Sequence, residues 1–345
     1  MIVFHPSVEG AQHGPKGLDG FLKFAKEAGA VGAQPSNFML EGGNGGFLPA
    51  ATIREKFAEM GLKLDGVSAH CPFWVQTTVW TGSPTIRPFL PPNVADRELV
   101  GIEQWAEDYC LRLLSLCFEL GVKVIPMFWG VAWGWEAATG YPWGLWQGPG
   151  YDLTAEGNDR FANKTAMIRR HADELGIALA HEIHPGTGAV CGSDFMHLVK
   201  VCDGDPCLGV NADPSHCWEG ESWQHRFDLV GGRVVGCHMK NHHVRPGMPL
   251  RCMASDWALR PMQFTDLERG DLDLLRYVEQ MLRVGYADRY CQLMGTKTAP
   301  LVVEAEGAYE NLDAISARGI GFVRDVCCFD VAEASFEDGM GADTS

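Results

Sequence analysis

Eight apolar, β-rich runs recur along the chain, each followed by a helical pattern, and this alternation limits the fold more than any other feature. The runs fall at 2–7, 31–35, 64–70, 122–128, 178–184, 208–213, 234–240 and 301–306. They are dense in Val, Ile and Leu, as expected of strands covered on both faces. Helices are expected between them at 18–28, 52–60, 97–120, 156–175, 193–202, 222–230 and 271–284, with a last one at 313–327. Thr52 and Ser193 stand where N-caps belong, and Gly29, Gly61, Gly121 and Gly176 stand where a helix stops just before the next strand. Eight β-then-α units in order imply a parallel sheet, and eight is the number that closes a (β/α)8 TIM barrel, an α/β fold. A doubly wound dinucleotide-binding sheet is the alternative. It lacks support because no G-x-G-x-x-G follows the first run, so no nucleotide cofactor is expected.

The chain has 345 residues, and no low-complexity linker divides it. One barrel domain is expected over 1–330, with a loosely held tail over 331–345. A net charge of −16 repels phosphate backbones and anionic lipid, which argues against nucleic acid or a membrane surface as partner. The N-terminal Met1-Ile2-Val3-Phe4-His5-Pro6 has no basic segment leading into an apolar one, so no signal peptide is expected. The twelve cysteines form no C-x-x-C pair, and Cys110, Cys117 and Cys237 sit in apolar surroundings. That usage fits free buried thiols in a reducing cytoplasm rather than disulfides or structural zinc.

In a TIM barrel, chemistry is done at the C-terminal ends of the strands. Strand five ends His181-Glu182-Ile183-His184, strand six Asn211-Ala212-Asp213-Pro214-Ser215-His216, strand seven His238-Met239-Lys240, and strand eight Val303-Glu304-Ala305-Glu306. Ionisable groups rarely end apolar strands unless they are paired or bound to a metal. Glu182, Asp213, His238 and Glu304 would form a ring of three carboxylates and one imidazole. The repulsion within it is removed by one divalent cation. The oxygen-rich set favours Mn²⁺, Mg²⁺ or Co²⁺ over a structural zinc site, with Zn²⁺ left open.

At these residues the chain resembles the xylose-isomerase-like TIM-barrel superfamily of sugar isomerases and epimerases, which includes inosose isomerases and ketose 3-epimerases. The resemblance runs over about 1–328, through the order of the strands and their ends. It implies a single metal held by Glu182 from strand five, Asp213 from an Asp-x-x-His motif with His216, His238 from strand seven and Glu304 from strand eight. It further implies that the metal polarises a sugar carbonyl and stabilises an enediolate, with Glu182 and Glu304 exchanging protons on opposite faces of the substrate. His216 would bind a substrate oxygen, and Lys240 and Arg245 would supply a cationic contact. His184, two residues after Glu182, faces the same side of its strand and departs from the family pattern. It is a candidate acid/base, substrate ligand or metal-supporting group. His70, at the end of strand three, is a further candidate substrate contact, as is His5 in strand one.

Five of the eleven tryptophans, from Trp129 and Trp133 to Trp146, fall within 18 residues after strand four. A long loop rich in Gly and Trp at the catalytic face is where specificity is built, and indole faces stack on sugars. A second long loop, over about 242–267, follows strand seven. Such a roof suits a free hexose, a cyclitol or a glycoside. Three functions therefore stand. The first is a metal-dependent sugar isomerase or epimerase. The second is a 3-keto-glycoside lyase that shares the first proton abstraction but expels the aglycone. The third is a non-catalytic sugar-binding subunit. A small carbohydrate is the expected partner in each, with a homo-oligomer or a partner subunit left open.

Overall fold

A parallel sheet satisfies all its backbone groups only when it has no free edge, and the strands here close on themselves. The computed structural model describes residues 3–131, 153–217, 221–245, 247, 260–307 and 310–329. In chain order the strands are β1 (Phe4–Val8), β2 (Gly32–Ala33), β3 (Lys63–Leu64), β4 (Val124–Met127), β5 (Ala178–Glu182), β6 (Leu208–Ala212), β7 (Val234–Met239), β8 (Asn241–Val244), β9 (Met262–Thr265) and β10 (Ala299–Val303). A six-stranded parallel ladder runs β1-β10-β7-β6-β5-β4, and β2 pairs with β3 in parallel. Short contacts complete the circle. Val31 N donates to Pro6 O and Gln34 N to Val8 O, both at 2.9 Å, and Ala69 N donates to Pro126 O at 2.8 Å. The eight barrel staves are therefore β1 to β7 and β10.

The helices are α1 (Gly17–Glu27), α2 (Ala50–Met60), α3 (His70–Thr78), α4 (Pro92–Ala95), α5 (Leu99–Leu120), α6 (Leu153–Glu174), α7 (Gly192–Val201), α8 (Trp223–Val230), α9 (Leu274–Arg283), α10 (Tyr286–Met294) and α11 (Leu312–Phe322). They lay apolar stripes against the strands. Phe21 and Leu22 of α1, Leu113 of α5, Phe195 of α7 and Tyr277 of α9 are buried in one continuous core. Helix α2 ends as expected at Gly61. Its φ of 68° is the left-handed turn that lets Leu62 N reach Phe57 O at 3.1 Å and sends the chain into β3. No helix among the described residues is long and apolar enough to cross a membrane, and the described cysteines are all free thiols.

Several local expectations are corrected. Run 64–70 is not one strand: the ladder ends at Leu64, and His70 opens α3. Thr52 and Ser193 lie inside their helices, which are entered from Pro49 and Cys191 without a side-chain cap. Helices α3, α4 and α10 fall outside the helical patterns expected from the sequence. The segment after strand seven is not simply a loop. Asn241–Val244 and Met262–Thr265 pair antiparallel, and in the second of them Met262 and Phe264 alternate with the polar Gln263 and Thr265. The tail over 331–345 and residues 132–152, including Trp133, lie outside the described residues.

Candidate metal centre

Strand periodicity decides what each side of β5 does. His181 turns outward, where its ring stacks on Phe195 of α7 at 6.0 Å and its Nδ1 accepts from Trp129 N at 3.0 Å. Burial pushes that imidazole down to about 3. Glu182 and His184 turn the other way, into the barrel mouth. Asn211 of β6 donates to Glu182 Oε2 at 2.9 Å. Just past β6, Asp213 Oδ1 accepts from Ser215 N at 2.7 Å, and this turn opens a 3-10 segment (Pro214–Cys217) that brings His216 back over the strand end.

The four strand-end groups converge. One ligand atom from each of Glu182, Asp213, His238 and Glu304 lies within 4.8 Å of all the others, and all four residues are buried. His238 Nδ1 lies 3.1 Å from Glu182 Oε2 and 3.0 Å from Glu304 Oε2. His216 Nε2 lies 3.1 Å from Glu182 Oε1 and 3.2 Å from Asp213 Oδ2. Lys240, buried just beyond β7, places Nζ 3.2 Å from Glu304 and 3.1 Å from Glu306, and 4.3 Å from the Phe264 ring of β9. Gln12 Nε2 donates to Glu304 Oε1 at 2.9 Å.

Buried charges must be matched, and the shifts record how. Burial raises the Glu182 carboxyl, but hydrogen bonds from His216, His238 and His70 outweigh it and hold it well below the usual range. Glu304 is likewise lowered, burial being overcome by Lys240 and His238. Burial opposes charge on His216, yet Asp213 and the hydrogen bonds to Asp213 and Glu182 push it up to about 9. His184 goes the other way, down to about 3, through burial and the neighbouring His216. Its Nδ1 contacts Pro185 O at 2.6 Å.

The donor set fits a divalent cation. Asp213 Oδ2 is buried, and its neighbours inside the cluster are the charged groups His216 Nε2 at 3.2 Å and Lys240 Nζ at 3.9 Å, so an acidic oxygen faces the ring with no neutral donor on it among the described residues. Three carboxylate oxygens and one imidazole nitrogen are the donors a hard or borderline divalent ion accepts.

The other candidates are distributed unevenly. His70, although on α3, brings Nε2 to 3.6 Å from Glu182 Oε2 and packs on Phe128 at 4.4 Å. His184 continues this wall, 4.9 Å from Phe128 and 4.0 Å from His216. Arg245 is half-buried beyond β8, its N–H on Pro261 O at 2.8 Å. Trp129 is corrected. It is not a pocket wall but a fully buried core side chain, packed edge-on against Phe73 and Phe161, because it faces the helical shell. His5 is at the opposite end of the barrel, with Nδ1 on Thr298 Oγ1 at 2.8 Å and Nε2 on Asp65 at 3.0 Å. The sequence reading missed Glu9, Gln34 and Ser68. Gln34 and Glu9 lie behind the ligand ring, 3.1 and 3.9 Å from His238 Nε2, and Ser68 donates to Glu9. Glu9 carries the same signal as the others, an acid where a strand stops, but it lies two residues past the run 2–7 because β1 extends to Val8.

Residues 22–317 match the sequence model of the xylose isomerase-like TIM barrel. The chain belongs to the xylose isomerase-like TIM barrel family. Among solved structures, this xylose isomerase-like barrel is similar in fold to a probable 3-DHS dehydratase from Bacillus anthracis, with 14% identity over 94% of this chain and 100% of that one and a TM-score of 0.60. It is similar to a xylose isomerase-like TIM barrel protein from Mycobacterium smegmatis in complex with magnesium, with 16% identity over 93% and 96% of the two chains and a TM-score of 0.59. It is also similar to a D-allulose 3-epimerase from a Methylomonas species, with 12% identity over 94% and 97% and a TM-score of 0.57. No curated protein matches the sequence.

Proposed function

We propose that this chain is a divalent-metal-dependent sugar isomerase or epimerase that removes the proton next to a substrate carbonyl. One observation carries the reading. Glu182 and Glu304 each turn one oxygen toward His238 Nδ1 and the other away, Glu182 Oε1 toward His216 and Glu304 Oε1 toward Gln12. Each carboxylate thus keeps one oxygen that is not turned to His238, and two such carboxylates in one cluster suit removal and return of a proton. A divalent ion on Glu182, Asp213, His238 and Glu304, Mn²⁺ first among the candidates, supplies Lewis acidity at the carbonyl oxygen when bound. Glu182 takes the α-proton and Glu304 returns one. His216 donates to a substrate oxygen. Lys240, His184 and His70 line the rim, with Arg245 and Trp133 as outer contacts to a small neutral carbohydrate. The fold similarity to a D-allulose 3-epimerase and to a magnesium complex supports this reading.

A second reading is elimination from a 3-keto-glycoside by the same first step. It is supported by the fold similarity to a probable dehydratase and by the aromatic wall of Phe128, His184 and His70 beside Glu182. Incubation of the metal-loaded protein with keto-sugars in D₂O tests both. We expect deuterium in the recovered sugar and its loss with chelator. Release of phenol from oxidised aryl glucosides would favour the lyase. Sugar binding with neither exchange nor release would leave only a binding role.

A further inference from the structure

Lys240 is 2% exposed, and a buried ammonium needs matched partners. Its Nζ lies 3.2 Å from Glu304 Oε2 and 3.1 Å from Glu306 Oε2, with Asp213 Oδ2 at 3.9 Å. Glu304 and Asp213 belong to the ligand set, and Glu306 does not. The Glu306 side chain is 37% exposed against 4% for Glu304, so Glu306 is the member of this pair that meets solvent at the rim. Gln12, in the turn that follows β1, ties the two acids together. Its Nε2 donates to Glu304 Oε1 at 2.9 Å and to Glu306 Oε1 at 3.3 Å. Carboxylates accept and do not donate, which fixes the amide with its nitrogen on both. Gln12 Oε1 is thereby turned away from them, and it is buried with no hydrogen-bond partner among the described residues.

A lysine at the mouth of a sugar site would ordinarily draw a phosphate or carboxylate group. Here its charge is already divided between Glu304 and Glu306, and an anion that approached Nζ would meet the Glu306 carboxylate. What this part of the rim offers is acceptors, the Glu306 oxygens and Gln12 Oε1, and these suit hydroxyl donors. We propose that Glu306 is a specificity-determining residue: it neutralises Lys240, so that the site takes an uncharged polyhydroxy substrate and turns away one that carries a phosphate or carboxylate group. This rests on the sugar reading above and names within it the residue that sets the charge of the substrate.

Glu306→Gln keeps the size of the side chain and removes its charge. Sulfate, a minimal dianion, is titrated calorimetrically into the Mg²⁺-loaded parent, Glu306→Gln and Glu306→Gln/Lys240→Met. We expect Glu306→Gln to bind sulfate at least about tenfold more tightly than the parent, and the double variant to lose that gain. The comparison of parent with Glu306→Gln decides even where the double variant fails to fold. Exchange in D₂O, run on free keto-pentoses and keto-hexoses and on their terminal phosphate esters, reads substrate choice. The parent should favour the free sugar in kcat/KM, and Glu306→Gln should move that ratio toward the ester by about tenfold or more. Equal sulfate affinity in parent and Glu306→Gln would overturn the proposal, as would a gain that survives Lys240→Met or a parent that favours the ester. A sulfate gain anchored on Lys240, with no exchange from any sugar, would instead defeat the sugar reading and leave Glu306 as the residue that keeps anions from Lys240.

Discussion

At the scale of single residues, burial decides what a charged group is for. Asp266, at the end of β9, is 3% exposed, and it accepts from Arg318 Nε at 2.6 Å and Glu268 N at 3.1 Å. Burial would raise this carboxyl, but the Arg318 hydrogen bond and the backbone N–H hold it below its ordinary value. A folded value below the unfolded one means stability that is present above about pH 4 and lost as pH falls through the folded value. We therefore expect Asp266→Asn to cost about 1–3 kcal/mol at pH 7 in urea denaturation, with the deficit shrinking at pH 3. A deficit that does not change with pH would contradict this account. The same logic separates His181 from Glu182. They are adjacent in sequence, yet one imidazole is silenced against the helices and the carboxylate beside it is drawn into the cluster.

At the scale of elements, α8 ties together the two strand ends that carry most of the site. Its Arg226 is 1% exposed, and it donates through Nε to Glu221 at 2.6 Å, through Nη1 to Ile183 O at 3.1 Å, and through Nη2 to Val190 O at 3.2 Å and His216 O at 3.3 Å. The carbonyls of Ile183 and His216 belong to the segments that present Glu182, His184 and Asp213. Arg226→Met leaves those acceptors and Glu221 without their donor. We expect it to cost about 3–5 kcal/mol in chemical denaturation, and a loss below about 1 kcal/mol would show that the acceptors find other partners. Sequence periodicity located this helix, and Ser222 caps it by accepting from His225 N at 3.4 Å. It could not show that one buried guanidinium bridges two staves, because those contacts join residues 10 to 43 positions apart. The antiparallel pair of β8 and β9 was hidden for a related reason: its two short strands are far apart in sequence, and neither is apolar enough to read as a stave.

At the scale of the whole molecule, the barrel gathers three carboxylates into a space where their mutual repulsion opposes folding unless positive charge offsets it. A bound divalent ion should therefore stabilise the fold. At about 100 times its dissociation constant the gain is about 2.7 kcal/mol, or roughly 4 °C in melting temperature for a chain of this length. Chelator should reverse it. A melting temperature unmoved by Mn²⁺, Mg²⁺, Co²⁺ and Zn²⁺ would count against a cation in this ring. The order of eight β-then-α units and the acids and imidazole at the ends of staves five to eight were legible in the residues, since alternation, helix stops and polar strand ends are local patterns. Barrel closure, the turning of Trp129 into the core, the recruitment of His70 from a helix and the backing of His238 by Glu9 and Gln34 were decided by the tertiary structure. Each depends on which side chains meet across the barrel, and that is set by the register and curvature of the closed sheet rather than by neighbours along the chain.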